Sequence, residues 1–336
     1  MAKESLLILY CSETGTAQDT AESLWREAKQ RRIPVRIYSI DEYEIQLLPN
    51  ECCVLFVAAT SGQGEFPPTA RDNWKELLRR GLPADYLQGV RMAVLGLGDS
   101  SYQKYNFAGK KLYRRLLQLG ASALVDIGLC DDQHELGIDG ALVPFRRQFF
   151  EQLGKEKLFP EMLSSYDPTV LLEPKYVLDY DVRTEGTSFE GTQTEGEYTV
   201  VTVMENRRVT AEEHFQDTRL VSFDTQGKSN LNYSPGDVLM ILPSNLDETV
   251  DLTISALGYS DEILDREFRI RSNDPFVKTP PLCMTGGATT SLRKCLPSLF
   301  DLQMIPRRSF FEILGALSSD DMEREKLLEL ASPDGV

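Results

Sequence analysis

Basic charge is scarce in this chain of 336 residues, where 36 lysines and arginines face 52 aspartates and glutamates for a formal net charge of −16. Nucleic acid and anionic membrane both require a basic face, so neither is expected as a partner. Carboxylates in such excess either keep the chain soluble or present an acidic face to a basic protein partner, and composition does not separate the two. Histidine is scarcer still: His134 and His214 are the only two, too few for a His-based metal centre. The six cysteines, Cys11, Cys52, Cys53, Cys130, Cys283 and Cys295, form no C-x-x-C pair and no metal-ligand spacing. They read as reduced, mostly buried thiols. No apolar run approaches the ~18 residues of a membrane span. The opening MAKESLLILYC holds too short an apolar stretch for a signal sequence, so a cytosolic address is the expectation.

The length suggests two domains. In the first part, apolar runs of strand length at Leu6–Tyr10, Val35–Ile40, Cys53–Ala59, Met92–Leu97 and Ala123–Leu129 are each followed by a segment with helical spacing. Leu24, Trp25 and Ala28 mark one helix, Trp74, Leu77 and Leu78 another, and Leu112, Leu116 and Leu119 a third that Gly120 stops. Alternation of this kind predicts an α/β fold with a doubly wound, five-stranded parallel sheet, whose ligands lie beyond the carboxyl ends of the strands. The rhythm ends near Gly154. Residues 154–173 read as a linker between a domain over 1–153 and a second over 174–336. In the second region strands are expected at Lys175–Tyr180, Glu197–Arg207, Leu220–Phe223 and Val238–Leu242, the last after a turn at Tyr233–Asp237. Part of an antiparallel barrel is the expected result. Thr184–Gly196 is rich in Gly, Thr and Glu and reads as a mobile loop. From about Thr290 three segments turn helical, with Ser318, Ser319 and Asp320 as N-cap candidates for the last.

Four predicted strands exit into unusual loops. After the first, Ser12, Glu13, Thr14, Gly15, Thr16 and Ala17 offer hydroxyls and backbone N–H groups at a helix start, where the helix dipole favours an anion. A P-loop lysine is absent and Gly15 stands alone, which excludes the triphosphate and dinucleotide fingerprints. A monophosphate site fits, and so does an ordinary capped helix. After the third, Ala59, Thr60, Ser61, Gly62, Gln63 and Gly64 make either a backbone edge for a planar ligand or a simple turn. After the fourth, Leu97, Gly98, Asp99, Ser100, Ser101, Tyr102, Gln103, Lys104, Tyr105 and Asn106 hold two tyrosines, each able to stack on a heterocycle or to cap the core. After the fifth, Asp131, Asp132 and Glu135 crowd carboxylates at the same rim.

Together, SETGTAQ, ATSGQGEFPP, GLGDSSYQKYNFAGK and LCDDQHE, in this order and spacing, resemble the FMN-binding module of the diflavin reductases, built on the flavodoxin fold. The resemblance continues through YSPGDVLMILPSN and PRRSFFEILGAL, so it covers nearly the whole chain. It is similar to the cytosolic branch of that family, which passes electrons from NADPH through FAD and FMN to the Fe–S protein anamorsin in iron–sulfur cluster assembly. The resemblance implies that Ser12 through Ala17 hold the FMN phosphate and that Ala59 through Gly62 meet the isoalloxazine. It also implies that Tyr102 stacks on the ring within the Leu97–Asn106 loop and that Asp132 lies beside it. No catalytic side chain and no metal ligand is implied.

Two departures stand out. Many relatives place an aromatic where Ser61 stands, so FMN is expected to bind more loosely here. The family also continues into an R-x-Y-S FAD segment and a Gly-rich NADPH domain. Neither is in this sequence, and Met284–Gly287 is a weak glycine pair without a strand and helix around it. The expectation is a C-terminally truncated chain with a partial FAD-binding barrel and an incomplete helical connecting region, using FAD and NADPH only in the full-length enzyme. The competing reading is a redox-silent module that docks the acceptor without turnover. A phosphotransfer receiver is set aside, because Cys11-Ser12 and Thr60-Ser61 occupy the places where its acids belong.

Overall fold

The computed structural model describes residues 5–167, 170–180, 199–225, 233–274 and 289–332. Packing divides them into two units, the first drawn from 1–175, 273–278 and 305–336 and the second from 176–272 and 279–304. The first unit therefore takes in the linker stretch and the last two helices, which lie far apart in sequence.

In the first unit a parallel sheet runs in the order β2 (Val35–Ser39), β1 (Leu6–Cys11), β3 (Cys53–Ala59), β4 (Arg91–Gly98). Alternate residues of each strand feed opposite faces. Leu6 and Ile8 join the cluster formed with α1 (Thr16–Gln30) and α4 (Asp139–Glu156). Leu7 and Leu9 join the cluster that includes α2 (Arg71–Leu77) and α3 (Phe107–Gln118). With both faces covered, the inner strands β1 and β3 and most of β4 are apolar runs, as parallel sheets require, while the edge strand β2 carries Arg36. On α1 the buried positions Ala17, Ala21, Leu24, Trp25 and Ala28 form one stripe.

The fifth expected strand is corrected to two short ones, β5 (Ser122–Ala123) and β6 (Gly128–Asp131), both paired to β4. Met92 pairs with Ala123 and Leu95 with Gly128, so the edge carries two more residues than β4 over that span. The excess bulges outward around the exposed Asp126. The linker stretch packs on α1: Phe159 is buried, Leu163 N–H donates to Arg31 O at 2.8 Å, and the Arg31 guanidinium lies over the Phe150 and Tyr166 rings. The last two helices, α8 (Arg308–Leu317) and α9 (Asp321–Ala331), form a hairpin with Asp320 as the α9 cap, its Oδ1 accepting from Met322 and Glu323 N–H.

The second unit holds two antiparallel pairs, β7 (Tyr176–Asp179) with β10 (Arg269–Ser272) and β8 (Thr202–Arg208) with β9 (Arg219–Asp224). Val238–Leu242 is not a strand. It follows the expected turn, where Asp237 N–H donates to Ser234 O, but finds no ladder partner among the described residues, and Val238 through Ile241 are exposed. Helices α5 (Asp247–Leu257) and α6 (Asp261–Asp265) were not evident from spacing; α7 (Leu292–Cys295) sits against α6, with Arg293 paired to Asp261 and Asp265. The Thr184–Gly196 loop, Met284–Gly287 and Cys283 lie outside the described residues. The five described cysteines are free, and burial pushes the Cys11 and Cys130 thiols up to about 12. Among the described residues no helix is long and apolar enough to cross a membrane and no cluster is suited to a metal.

Gly120 ends α3 at φ +93°, and a Cβ there would stand 2.7 Å from Ala84 O. Gly89 has φ +91° with open space around it. Gly89→Ala is expected to cost about 1–2 kcal/mol from the backbone alone. Gly120→Ala adds an overpacking cost of about 1–3 kcal/mol, read as a larger fall in the urea midpoint at unchanged slope.

Candidate functional site

Register decides where the loops emerge. Cys11 pairs with Ala58, Ala59 with Leu97, and Gly98 with Asp131, so the four strands end in steps of a residue from one another and their loops share one edge. Main-chain bonds tie them: Thr60 N–H donates to Leu97 O at 2.9 Å and Asp132 N–H to Gly98 O at 3.0 Å.

At the first loop, Gly15 occupies the N-cap of α1 at φ +89°, a left-handed conformation that disfavours a side chain. No side chain caps the helix. Ser12 Oγ instead accepts Gly15 N–H at 3.0 Å, bracing the loop. The first-turn N–H groups, which have no acceptor within a helix, are thus not taken by a side-chain cap. An ordinary side-chain cap is not what the residues form.

At the second, Ser61 and Glu65 bridge across a turn, with Gly62 at φ +47° and Gly64 at φ +82°. The Ser61 carbonyl already accepts from Gly64 and Glu65 N–H, and the Gly64 carbonyl from Lys111 Nζ at 3.2 Å. The Lys104 side chain covers Gly64, its Cβ 2.6 Å from where a glycine Cβ would be.

At the third, the two tyrosines part. Tyr105 caps the sheet edge, its hydroxyl donating to Leu129 O at 2.8 Å, while Tyr102 is 62% exposed. Asn106 is fully buried at φ +54°, donates Nδ2–H to Cys130 O at 2.8 Å, and leaves Oδ1 without a partner. Gly96 and Gly98 make room for it, since a Cβ on either would fall within 3.0 Å of Oδ1.

At the fourth, Asp131 Oδ1 accepts Ser100 N–H at 2.8 Å and Gln133 N–H at 3.1 Å. A hydrogen bond from the Ser100 side chain is the main cause holding the Asp131 carboxyl below its ordinary range, and the Ser100 and Gln133 amides add to it. Asp132 and Glu135 are exposed beside it. His134 has a local task, its Nδ1 accepting Leu136 N–H at 3.0 Å.

Sequence reading missed two cations. Lys111 lies one turn into α3 and could have been found from its helical face. Arg307 had no local signal: its Nη2 donates to Thr14 O at 3.1 Å from a position nearly three hundred residues downstream.

Because a depressed carboxylate pKa gives order that is present above the ordinary aspartate range and lost as pH falls through the lowered value, the Ser100 and Gln133 amides are expected to stay protected from exchange at neutral pH. They should open on acidification through and below roughly pH 3.9, and in Asp131→Asn they should exchange faster already at neutral pH.

Residues 8–143 match the flavodoxin family and residues 193–336 the FAD binding domain family. The chain is 39% identical over its full length to NADPH-dependent diflavin oxidoreductase 1 of Bos taurus, of which it spans 57%. It is 39% identical to the Danio rerio protein of the same name, spanning 56% of it, and 38% to that of Mus musculus, again 56%, in each case over all of this chain. The chain thus spans little more than half the length of these curated relatives. With a flavodoxin match followed by an FAD-binding-domain match, and similarity running from end to end, the chain is similar throughout its length to these diflavin oxidoreductases.

Proposed function

We propose that the first unit holds FMN at the carboxyl edge of its sheet. The chain would then carry electrons as the FMN-bearing part of an NADPH-dependent diflavin oxidoreductase, in which FAD stands between NADPH and FMN. The observation that carries this reading is the uncapped start of α1, braced by Ser12 and opened by Gly15, at one edge with three further loops.

The residues present fit the group. Neutral hydroxyls and N–H groups of Ser12 through Ala17 suit a monophosphate. Tyr102, already exposed, suits one face of a flat ring. The Gly62 and Gln63 carbonyls are the acceptors to consider at its edge, since those of Ser61 and Gly64 are engaged within the fold. FMN supplies one- and two-electron chemistry when bound, and the protein orients it. Ser61 offers no aromatic for the second face. Asp131 is held as a carboxylate by its amide donors, and with Asp132 it keeps negative charge beside the ring site.

The acidic rim of Asp131, Asp132 and Glu135 supports a basic docking patch on the acceptor. By family resemblance that acceptor is an anamorsin-like Fe–S protein in cytoplasmic iron–sulfur cluster assembly.

Titration with FMN, followed by flavin fluorescence, is expected to show saturable binding and a yellow protein on isolation. A preparation that stays colourless in excess FMN removes the reading. In Tyr102→Ala the loss of stacking, about 0.5–1.5 kcal/mol, should weaken FMN by roughly two- to twelvefold. With a photochemical electron source, reduction of the Fe–S acceptor supports electron carriage, whereas binding without reduction supports a docking module. The association rate with that acceptor should fall steeply with added salt, and a rate indifferent to ionic strength would take the acidic rim out of docking.

A further inference from the structure

The loop proposed for the flavin phosphate has no basic residue of its own between Ser12 and Ala17. A cation reaches it from the end of the described chain. Arg307, half-buried at the N-cap of α8, places Nη2 on the Thr14 carbonyl at 3.1 Å. The same nitrogen stands 3.0 Å from the point a Gly15 Cβ would occupy. The glycine therefore admits the guanidinium as well as the left-handed turn.

Neighbouring contacts hold the α8 start in place. Ser309 Oγ donates to Asp19 Oδ1 at 2.6 Å, Arg308 pairs with Asp139, and Arg26 faces Glu312 at 3.8 Å. These contacts attach the α8–α9 hairpin to α1 and to the start of α4, all within the first unit. Among the described residues Arg307 makes one hydrogen bond, to a neutral carbonyl, although a guanidinium carries five N–H donors in a planar fork suited to phosphate.

We propose that Arg307 is a phosphate-responsive clasp, supplying the cation that the first loop lacks and coupling FMN affinity to docking of the α8–α9 hairpin. The inference rests on the FMN reading and deepens it. A phosphate at the α1 start gains a charge-assisted partner only when the hairpin is docked. By linkage, the docked hairpin is then favoured by the same factor when FMN binds. Riboflavin has the ring without the phosphate and should not exert this effect.

The test compares FMN and riboflavin affinities of the whole chain by fluorescence titration in wild type, Arg307→Gln and Arg307→Lys. Arg324→Gln on α9 serves as a control that removes the same charge elsewhere. Amide exchange of residues 305–317 is followed in parallel with each flavin. Loss of a charge-assisted hydrogen bond predicts FMN weakened about tenfold or more in Arg307→Gln. Partial recovery is expected in Arg307→Lys, no change in Arg324→Gln, and riboflavin affinity within about twofold throughout. In wild type FMN, but not riboflavin, should slow exchange over 305–317. Equal losses for both flavins, or FMN binding unchanged or tightened in Arg307→Gln, overturn the clasp while leaving the FMN site standing. A wild type that binds neither flavin overturns both.

Discussion

The parallel pairing of β1 with β2 and β3 is the constraint on which the rest of the first unit depends. Strands paired in parallel and covered on both faces leave no room for polar side chains along their length, and Leu6 to Leu9 are accordingly sealed from solvent. Polar chemistry is displaced to the strand ends. Because the register brings the ends of β1, β3, β4 and β6, at Cys11, Ala59, Gly98 and Asp131, close to one another, it converges on a single edge.

At that edge the backbone does much of what side chains do elsewhere. Gly15, Gly62, Gly64 and Asn106 all stand at positive φ, where the chain turns its amides and carbonyls in directions that strands and helices do not. The Asp131 carboxylate is braced by the Ser100 and Gln133 amides.

Several elements were legible from residues alone. The first four strand runs of the first unit, the α1 and α3 stripes, the stop at Gly120 and the cap at Asp320 follow from local periodicity and capping chemistry, whereas of the α2 positions Leu78 falls past the helix and is exposed. The fifth strand was misjudged as continuous, because a bulge is set by mismatch with β4 and not by the apolar run itself. Val238–Leu242 had strand composition but finds no ladder partner among the described residues, since pairing depends on a neighbour that local sequence does not name. The two tyrosines of the Leu97–Asn106 loop were indistinguishable by spacing. Their division into an edge cap and an exposed ring came from the position of Leu129 O.

By itself, then, the sequence determined the doubly wound sheet, the order of its loops and the diflavin resemblance, because these rest on local periodicity and contiguous motifs. Only the tertiary structure decided that α1 starts uncapped, which tyrosine stays exposed, and that Arg307 stands over Thr14. The last two depend on contacts between segments distant along the chain, of which local spacing carries no record, and the first depends on which hydroxyl the Gly15 N–H finds.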